Sequence, residues 1–223
     1  MQDQAMGVAL PERKRQPLLA LLALIPLAAC SPYADAKRDV AAGGRGLAKL
    51  NPAPKQGYEL VLTLKDAPGP FAVVEGVAQY DARNYAACGR IVPATGTAGR
   101  ITSQEPIALR QVDKNEYRGT FYLDRMQDED YYGRGVCHWT LTGVGAMLRA
   151  TTGEADTRFL TFVDKERMDA GSQVTRHYPR ADYPRIEEIT GYGASGEEDP
   201  SSYRADLRNA LFSTTTTVQK LMP

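Results

Sequence analysis

The sequence predicts a mainly β protein: an antiparallel β-sandwich of about six to eight strands with a short C-terminal helix. Three observations point there. Apolar and polar residues alternate with period two in several runs between residues 58 and 163, the pattern of half-buried strands. Clusters of Pro, Gly, Asn and Asp punctuate those runs, as turns require. Neither strand–helix alternation nor a Gly-rich phosphate loop occurs, which argues against a nucleotide-binding α/β fold.

Taken in order, "YELVLTLK" (58–65) places Tyr58, Leu60, Leu62 and Leu64 on one face and Glu59, Thr63 and Lys65 on the other. "DAPGP" is a turn, and "FAVVEGVAQY" (71–80) a second strand in which Gly76 marks a bulge. "PATGTAGRITSQEP" (93–106) reads as a surface loop and "IALRQV" (107–112) as a short strand. After the turn at "DKN", Tyr117, Gly119, Phe121 and Leu123 share a face. "VCHWTLTGVGAMLRAT" (136–151) is the longest strand, with a change of phase near Gly143 and Gly145 that predicts a bulge or sharp twist. "TRFLTFV" (157–163) closes the sandwich domain, 58–165. The remainder, 166–223, reads as a polar extension whose best helix is "DPSSYRADLRNALF". There Asp199 is placed to cap, Pro200 falls in the first turn, and Tyr203, Leu207 and Leu211 form an apolar stripe.

The N-terminus carries a different kind of signal. Arg13, Lys14 and Arg15 precede an apolar run from Pro17 to Ala29, too short to cross a hydrocarbon core as a helix. Residues 1–29 therefore read as a secretory signal peptide, translated from Met1 or from Met6. The segment ends in Leu27-Ala28-Ala29-Cys30, which resembles the bacterial lipobox. That resemblance implies lipidation of Cys30, and Ser31, in place of the Asp that retains such proteins at the inner membrane, implies an outer-membrane anchor facing the periplasm. Residues 30–57, rich in Ala, Gly, Pro and charge, are expected to form a flexible tether.

Loss of the leader removes three basic and two acidic residues from the 27 of each, leaving 24 against 25. With no polybasic block, nucleic acid is not an expected partner. Once Cys30 is committed to lipid, Cys88 and Cys137 remain. In an oxidising compartment the pair is expected to be bonded; two buried thiols are the alternative.

The chemically densest stretch is "MQDEDYYGRGVCHW" (126–139), with three carboxylates, two tyrosines, an arginine, a cysteine, a histidine and the only tryptophan. Neither His138 nor His177 lies in an HExxH or HxH arrangement, so no metal is expected. Adjacent Cys137 and His138 point to opposite faces of a strand, and a bonded cysteine is no nucleophile. The carboxylates do not follow the EF-hand spacing, and no GxSxG elbow is present. No cofactor is expected. The stretch divides into a core-strand start, "VCHW", and a loop, "QDEDYYGRG", whose Asp128, Glu129, Asp130, Tyr131, Tyr132 and Arg134 are the candidate partner contacts. Tyrosine gives large contact area at low entropic cost.

Together "DAPGPF.VVEG.AQYD", "CG", "YRGTFY.D..QDEDYYGRGVCHW" and the lipobox resemble a group of Gram-negative periplasmic lipoproteins encountered beside type VI secretion lipase effectors. The resemblance covers roughly 58–163. It implies an immunity role: a non-catalytic protein that binds an incoming phospholipase and blocks it. A structural or ligand-binding envelope lipoprotein without a toxin partner is the alternative, and a periplasmic hydrolase a third reading.

Overall fold

The runs with period-two alternation fold as strands, and these divide between two five-stranded sheets. The computed structural model describes residues 32–41 and 45–222; the signal segment and Cys30 lie outside the described residues. The strands are β1 (Gly57–Lys65), β2 (Val73–Ala82), β3 (Ile91–Val92), β4 (Thr97–Ala98), β5 (Thr102–Ile107), β6 (Arg110–Asp113), β7 (Glu116–Tyr122), β8 (Trp139–Arg149), β9 (Arg158–Asp164), β10 (Val174–Pro179), β11 (Gly193–Ala194) and β12 (Leu211–Lys220). Short helices are α1 (Pro32–Ala41), α2 (Tyr85–Cys88), α3 (Lys165–Asp169) and α4 (Ala205–Arg208). One sheet runs β10-β12-β1-β7-β6 and the other β11-β9-β8-β2-β5, while β3 and β4 form a separate ribbon. Pairing is antiparallel except between β11 and β9. The mainly β sandwich and the short C-terminal helix match the expectation.

The core lies between the sheets, where inward residues from both interdigitate. Leu60, Leu62 and Leu64 of β1 meet Ala78 and Tyr80 of β2, Leu141, Val144, Ala146 and Leu148 of β8, and Phe159 and Val163 of β9. The phase change in β8 is a bulge: Gln79 pairs with Gly143 but Tyr80 with Leu141, which leaves Thr142 extra. Leu141 before it and Val144, Ala146 and Leu148 after it all reach the core because one residue was inserted.

Gly76 is not a bulge. A Cβ there would sit 2.9 Å from both the Cβ and the carbonyl oxygen of Ile107, so the glycine lets β5 approach β2. The expected loop 93–106 contains β4 and most of β5, whose inward positions are Ser103, Glu105 and Ile107. Two polar residues in inward positions disguise the alternation. The predicted strand 107–112 spans the change of sheet: β5 pairs with β2, β6 with β7, and Leu109 between them packs on both core clusters.

Two further corrections concern the ends. Residues 166–223 are not simply a polar extension, since they supply β10 and β12 to the first sheet. The expected helix over 199–212 is a 3-10 turn at Pro200–Ser202, capped by Asp199, followed by the single turn α4, with β12 starting at Leu211. Of the expected tether 30–57, residues 32–41 form α1 and 45–56 are bound to the sandwich. Arg45 Nε and Nη2 donate to the Glu105 carboxylate at 2.7 and 3.0 Å. Leu50 bridges Met126, and the Asn51 side chain donates to the Asp124 carbonyl at 2.8 Å. A polar segment without a core of its own satisfies its backbone on the neighbouring loop.

Candidate recognition site

The 126–139 stretch lies at one end of the sandwich, between the end of β7 and the start of β8. The loop half lies where expected, but the strand expected to start at Val136 starts at Trp139: Val136 is exposed and Cys137 makes only an isolated bridge to Glu129, so the preceding residues form a closed loop. Cys137 bonds to Cys88 across 49 residues of sequence, both sulfurs being buried in a small cluster with Ala82. The Cys137 N–H donates to the Glu129 carbonyl at 3.0 Å, closing the loop at its base. Gly133 and Gly135 take φ of 69° and 104°, left-handed values that glycine adopts without a Cβ penalty.

Each candidate contact residue has a place in this loop. Asp128 Oδ1 accepts the Trp139 N–H at 2.9 Å and Oδ2 meets His138 Nδ1 at 2.7 Å. Glu129 pairs with Lys49 at 2.6 Å. Asp130 Oδ1 accepts the N–H groups of Tyr132 and Arg134 at 3.3 and 3.0 Å. Desolvation pushes the Asp130 carboxyl up, but the backbone N–H donors of Gly135, Arg134, Tyr132 and Gly133 outweigh it, and its pKa lies below the ordinary aspartate value. The Tyr131 hydroxyl donates to the Gln127 carbonyl, and its ring stands edge-on to Trp139 and Tyr132. Arg134 donates to the Gly89 carbonyl on α2's far side.

The six residues are therefore brought together, but not all as open surface. Tyr131 and Tyr132 are half-buried against the disulfide cluster, while Asp128, Asp130, Arg134 and Val136 remain exposed. The His138 ring sits beside the carboxylate of Asp128, and its backbone N–H donates to Asn84 Oδ1 at 2.8 Å. Among the described residues no group of three or more His, Cys, Asp or Glu is placed to hold a metal ion.

A neighbouring carboxylate anchors the loop's approach. Asp124 accepts the N–H groups of Lys55 and Gln56 at 2.9 and 3.0 Å. Desolvation raises its pKa and those donors, with Lys55's charge, lower it further than that, to below the ordinary 3.8. A carboxyl with a depressed folded pKa stabilises fully above its unfolded value and loses that contribution as pH falls through the folded one. Acidification below about pH 4 is thus expected to loosen 51–56, seen as faster amide exchange at Lys55 and Gln56. Asp124→Asn should make that exchange fast at every pH.

One surface escaped the sequence reading. On the outer face of the second sheet Leu160 and Phe162 are 36% and 39% exposed, beside Val77 and Met147 in a shallow cleft of about 410 Å³. Phe162 lies over Gly143 and Gly145. The signal was "FLTFV": a strand apolar on both faces when its sheet covers only one.

Fold and loop define a two-sheet β-sandwich bearing a disulfide-pinned loop at one end. Set against family models, curated proteins and solved structures, the chain matches none of them.

Proposed function

We propose that this is a non-catalytic lipoprotein, anchored at the outer membrane through Cys30 and facing the periplasm, that binds and neutralises a toxic effector of the type VI secretion phospholipase class. The observation that carries the binding half is the preorganised loop. A disulfide, Asp128, Asp130 and Tyr131 fix its backbone while Asp128, Asp130, Arg134 and Val136 stay in water. A loop fixed before binding loses little conformational freedom on binding. The anchor is supported by the Leu27-Ala28-Ala29-Cys30 sequence, and the partner class by the motif resemblance. The apolar strip of exposed Leu160 and Phe162 beside half-buried Val77 and Met147 favours a second reading, an envelope lipoprotein that binds a structural partner or ligand there.

Mixing the purified protein with a lipase encoded beside it tests the proposal. A stable complex and loss of lipase turnover are expected. Asp128→Ala with Arg134→Ala should weaken the complex at least about tenfold, or about 1.4 kcal/mol, by isothermal titration calorimetry. A thermal melt of the free variant separates lost contacts from lost structure. Leu160→Asp should leave affinity unchanged. No complex and no inhibition would sink the proposal, and sensitivity at Leu160 alone would favour the second reading.

A further inference from the structure

Asn84 stands where β2 gives way to α2. The ladder with β8 runs to Ala82 opposite Trp139, and one more bond follows, from the Arg83 N–H to the His138 carbonyl at 3.0 Å. The chain then leaves the sheet. Asn84 takes φ −105° and ψ 28°, and its carbonyl accepts the N–H groups of Ala87 and Cys88 at 2.9 and 3.1 Å. Its backbone thus belongs to α2 and is lost to the sheet. Its side chain is not: Nδ2 donates to the Val136 carbonyl and Oδ1 accepts the His138 N–H, both at 2.8 Å.

A carbonyl and an N–H two residues apart along one edge of a chain are the groups that a neighbouring strand pairs with. A primary amide carries an acceptor oxygen and a donor nitrogen in one plane, so Asn84 fills that role with a side chain. The two bonds also fix which way round the amide lies, since a flipped amide would set oxygen against oxygen and N–H against N–H. Between the two bonded residues, the Cys137 N–H turns to the opposite edge and donates to the Glu129 carbonyl at 3.0 Å. Residues 136–138 are therefore held from both edges.

The disulfide alone leaves a freedom that these bonds remove. It ties Cys137 to Cys88 at one point, about which the flanking backbone can turn. The Asn84 bonds lie on either side of that point, and Arg134 donates to the Gly89 carbonyl just past the end of α2. We propose that Asn84 is the positioning residue of the recognition loop: its amide holds 136–138 in place of a strand partner and so sets how Arg134 and Val136 are offered to the effector. The inference rests on the proposed function for what the loop contacts, and on hydrogen-bond geometry for how the loop is held. A loop already in its bound shape loses less freedom on binding. Little of the fold's stability depends on the amide, because Val136 is 43% exposed and water can take the amide's place there.

Asn84→Asp is the test, since a carboxylate keeps the acceptor for His138 and loses the donor for Val136. With the lipase encoded beside the protein as the probe, calorimetry at neutral pH should show affinity lowered at least about tenfold. The melting temperature should move by less than about 4 °C. As pH falls through the carboxyl range near about 4, the protonated side chain regains a donor, and the ratio of variant to wild-type affinity should climb back towards unity. The loop's own carboxylates, present in both proteins, cancel from that ratio. Asn84→Ala should bind as weakly and gain nothing from acid. Equal affinity of wild type and Asn84→Asp overturns the inference and leaves the proposed function standing, as does a deficit that acid does not relieve. A melting temperature lowered by more than about 4 °C in both variants makes Asn84 a residue of the fold and overturns its positioning role. If the wild type forms no complex, the proposed function falls and amide exchange decides the hold on 136–138. At least about tenfold loss of protection at His138 in Asn84→Ala then keeps it, and unchanged protection removes it.

Discussion

Ending the chain at Asn209 will leave a protein that does not fold. The truncation removes β12, which pairs with β1 along its length, from Tyr58 opposite Lys220 to Lys65 opposite Ser213. It also removes the partner of β10, joined from Val174–Thr216 to Pro179–Leu211. A central strand is lost, so the edge of β1 is exposed and β10 is left with no neighbour in the first sheet. The inner face suffers as much. Phe212 is 1% exposed; it stacks on Tyr178, meets Phe159 edge-on and lies tilted against Phe71. Thr216 shares a buried hydroxyl bond of 2.9 Å with Thr161 of the facing sheet. A milder version isolates the packing: Phe212→Ala should cost about 3 to 5 kcal/mol, a large share of the roughly 5 to 15 kcal/mol that holds a domain together. Urea denaturation followed by circular dichroism measures the substitution, and the truncation should lack a cooperative transition altogether. A normal melt for the chain ended at Asn209 would mean that β12 is an accessory to the fold.

That strand also shows where the sequence stopped being readable. Runs such as "YELVLTLK" and "TLTGVGAML" declare themselves because leucine and valine carry the inward positions and the alternation is visible in the letters. In "LFSTTTTVQK" the inward positions are filled after Phe212 by Thr214 and Thr216. Threonine is β-branched and suits a strand, yet it counts as polar until its hydroxyl partner is known. The partner comes from another sheet and 55 residues away in sequence, which no local pattern reveals. The same blindness hid β5, where Ser103 and Glu105 face inward because Arg45, 60 residues upstream, reaches in to neutralise Glu105. Its helix-like C-terminal stripe failed for the complementary reason: Leu211 belongs to a strand, and tertiary pairing overrides a weak helical pattern.

The site was legible in composition and opaque in exposure. Tyrosines, carboxylates and glycines marked 127–135 as a loop, and the phase at Cys137 and His138 put the two side chains on opposite sides, as the buried sulfur and half-exposed ring show. What the letters did not carry is that the loop binds itself. Asp130 caps its own turn, Asp128 holds Trp139 and Tyr131 hangs its ring on the disulfide cluster. Part of the chemistry that looked available for a partner is used to fix the loop's shape, which leaves the exposed edges of Asp128, Asp130, Arg134 and Val136 to make contact.

Breaking the disulfide is the second change expected to act strongly, and it acts on both fold and loop. Closing 49 residues of chain should contribute about 4 kcal/mol by restricting the unfolded state, so Cys88→Ser with Cys137→Ser should lower the melting temperature of a domain this size by roughly 8 to 16 °C. The pair should be replaced together, because one remaining thiol invites intermolecular bonding. Locally, the sulfurs are the middle of a three-residue buried cluster with Ala82, and both α2 and the base of the 129–137 loop meet there. Two serine hydroxyls in that apolar setting lose the covalent link and lack assured hydrogen-bond partners, which adds to the destabilisation. Amide exchange should therefore rise first at Glu129, Tyr132 and Cys137→Ser itself, then along α2, while β1 and β12 stay protected at temperatures below the melt. If binding depends on a preorganised loop, affinity for an effector should fall with loop protection even where the sandwich is intact. A variant with a mobile loop and unchanged affinity would place the contact surface elsewhere, and the apolar strip of Leu160 and Phe162 would be the next face to change.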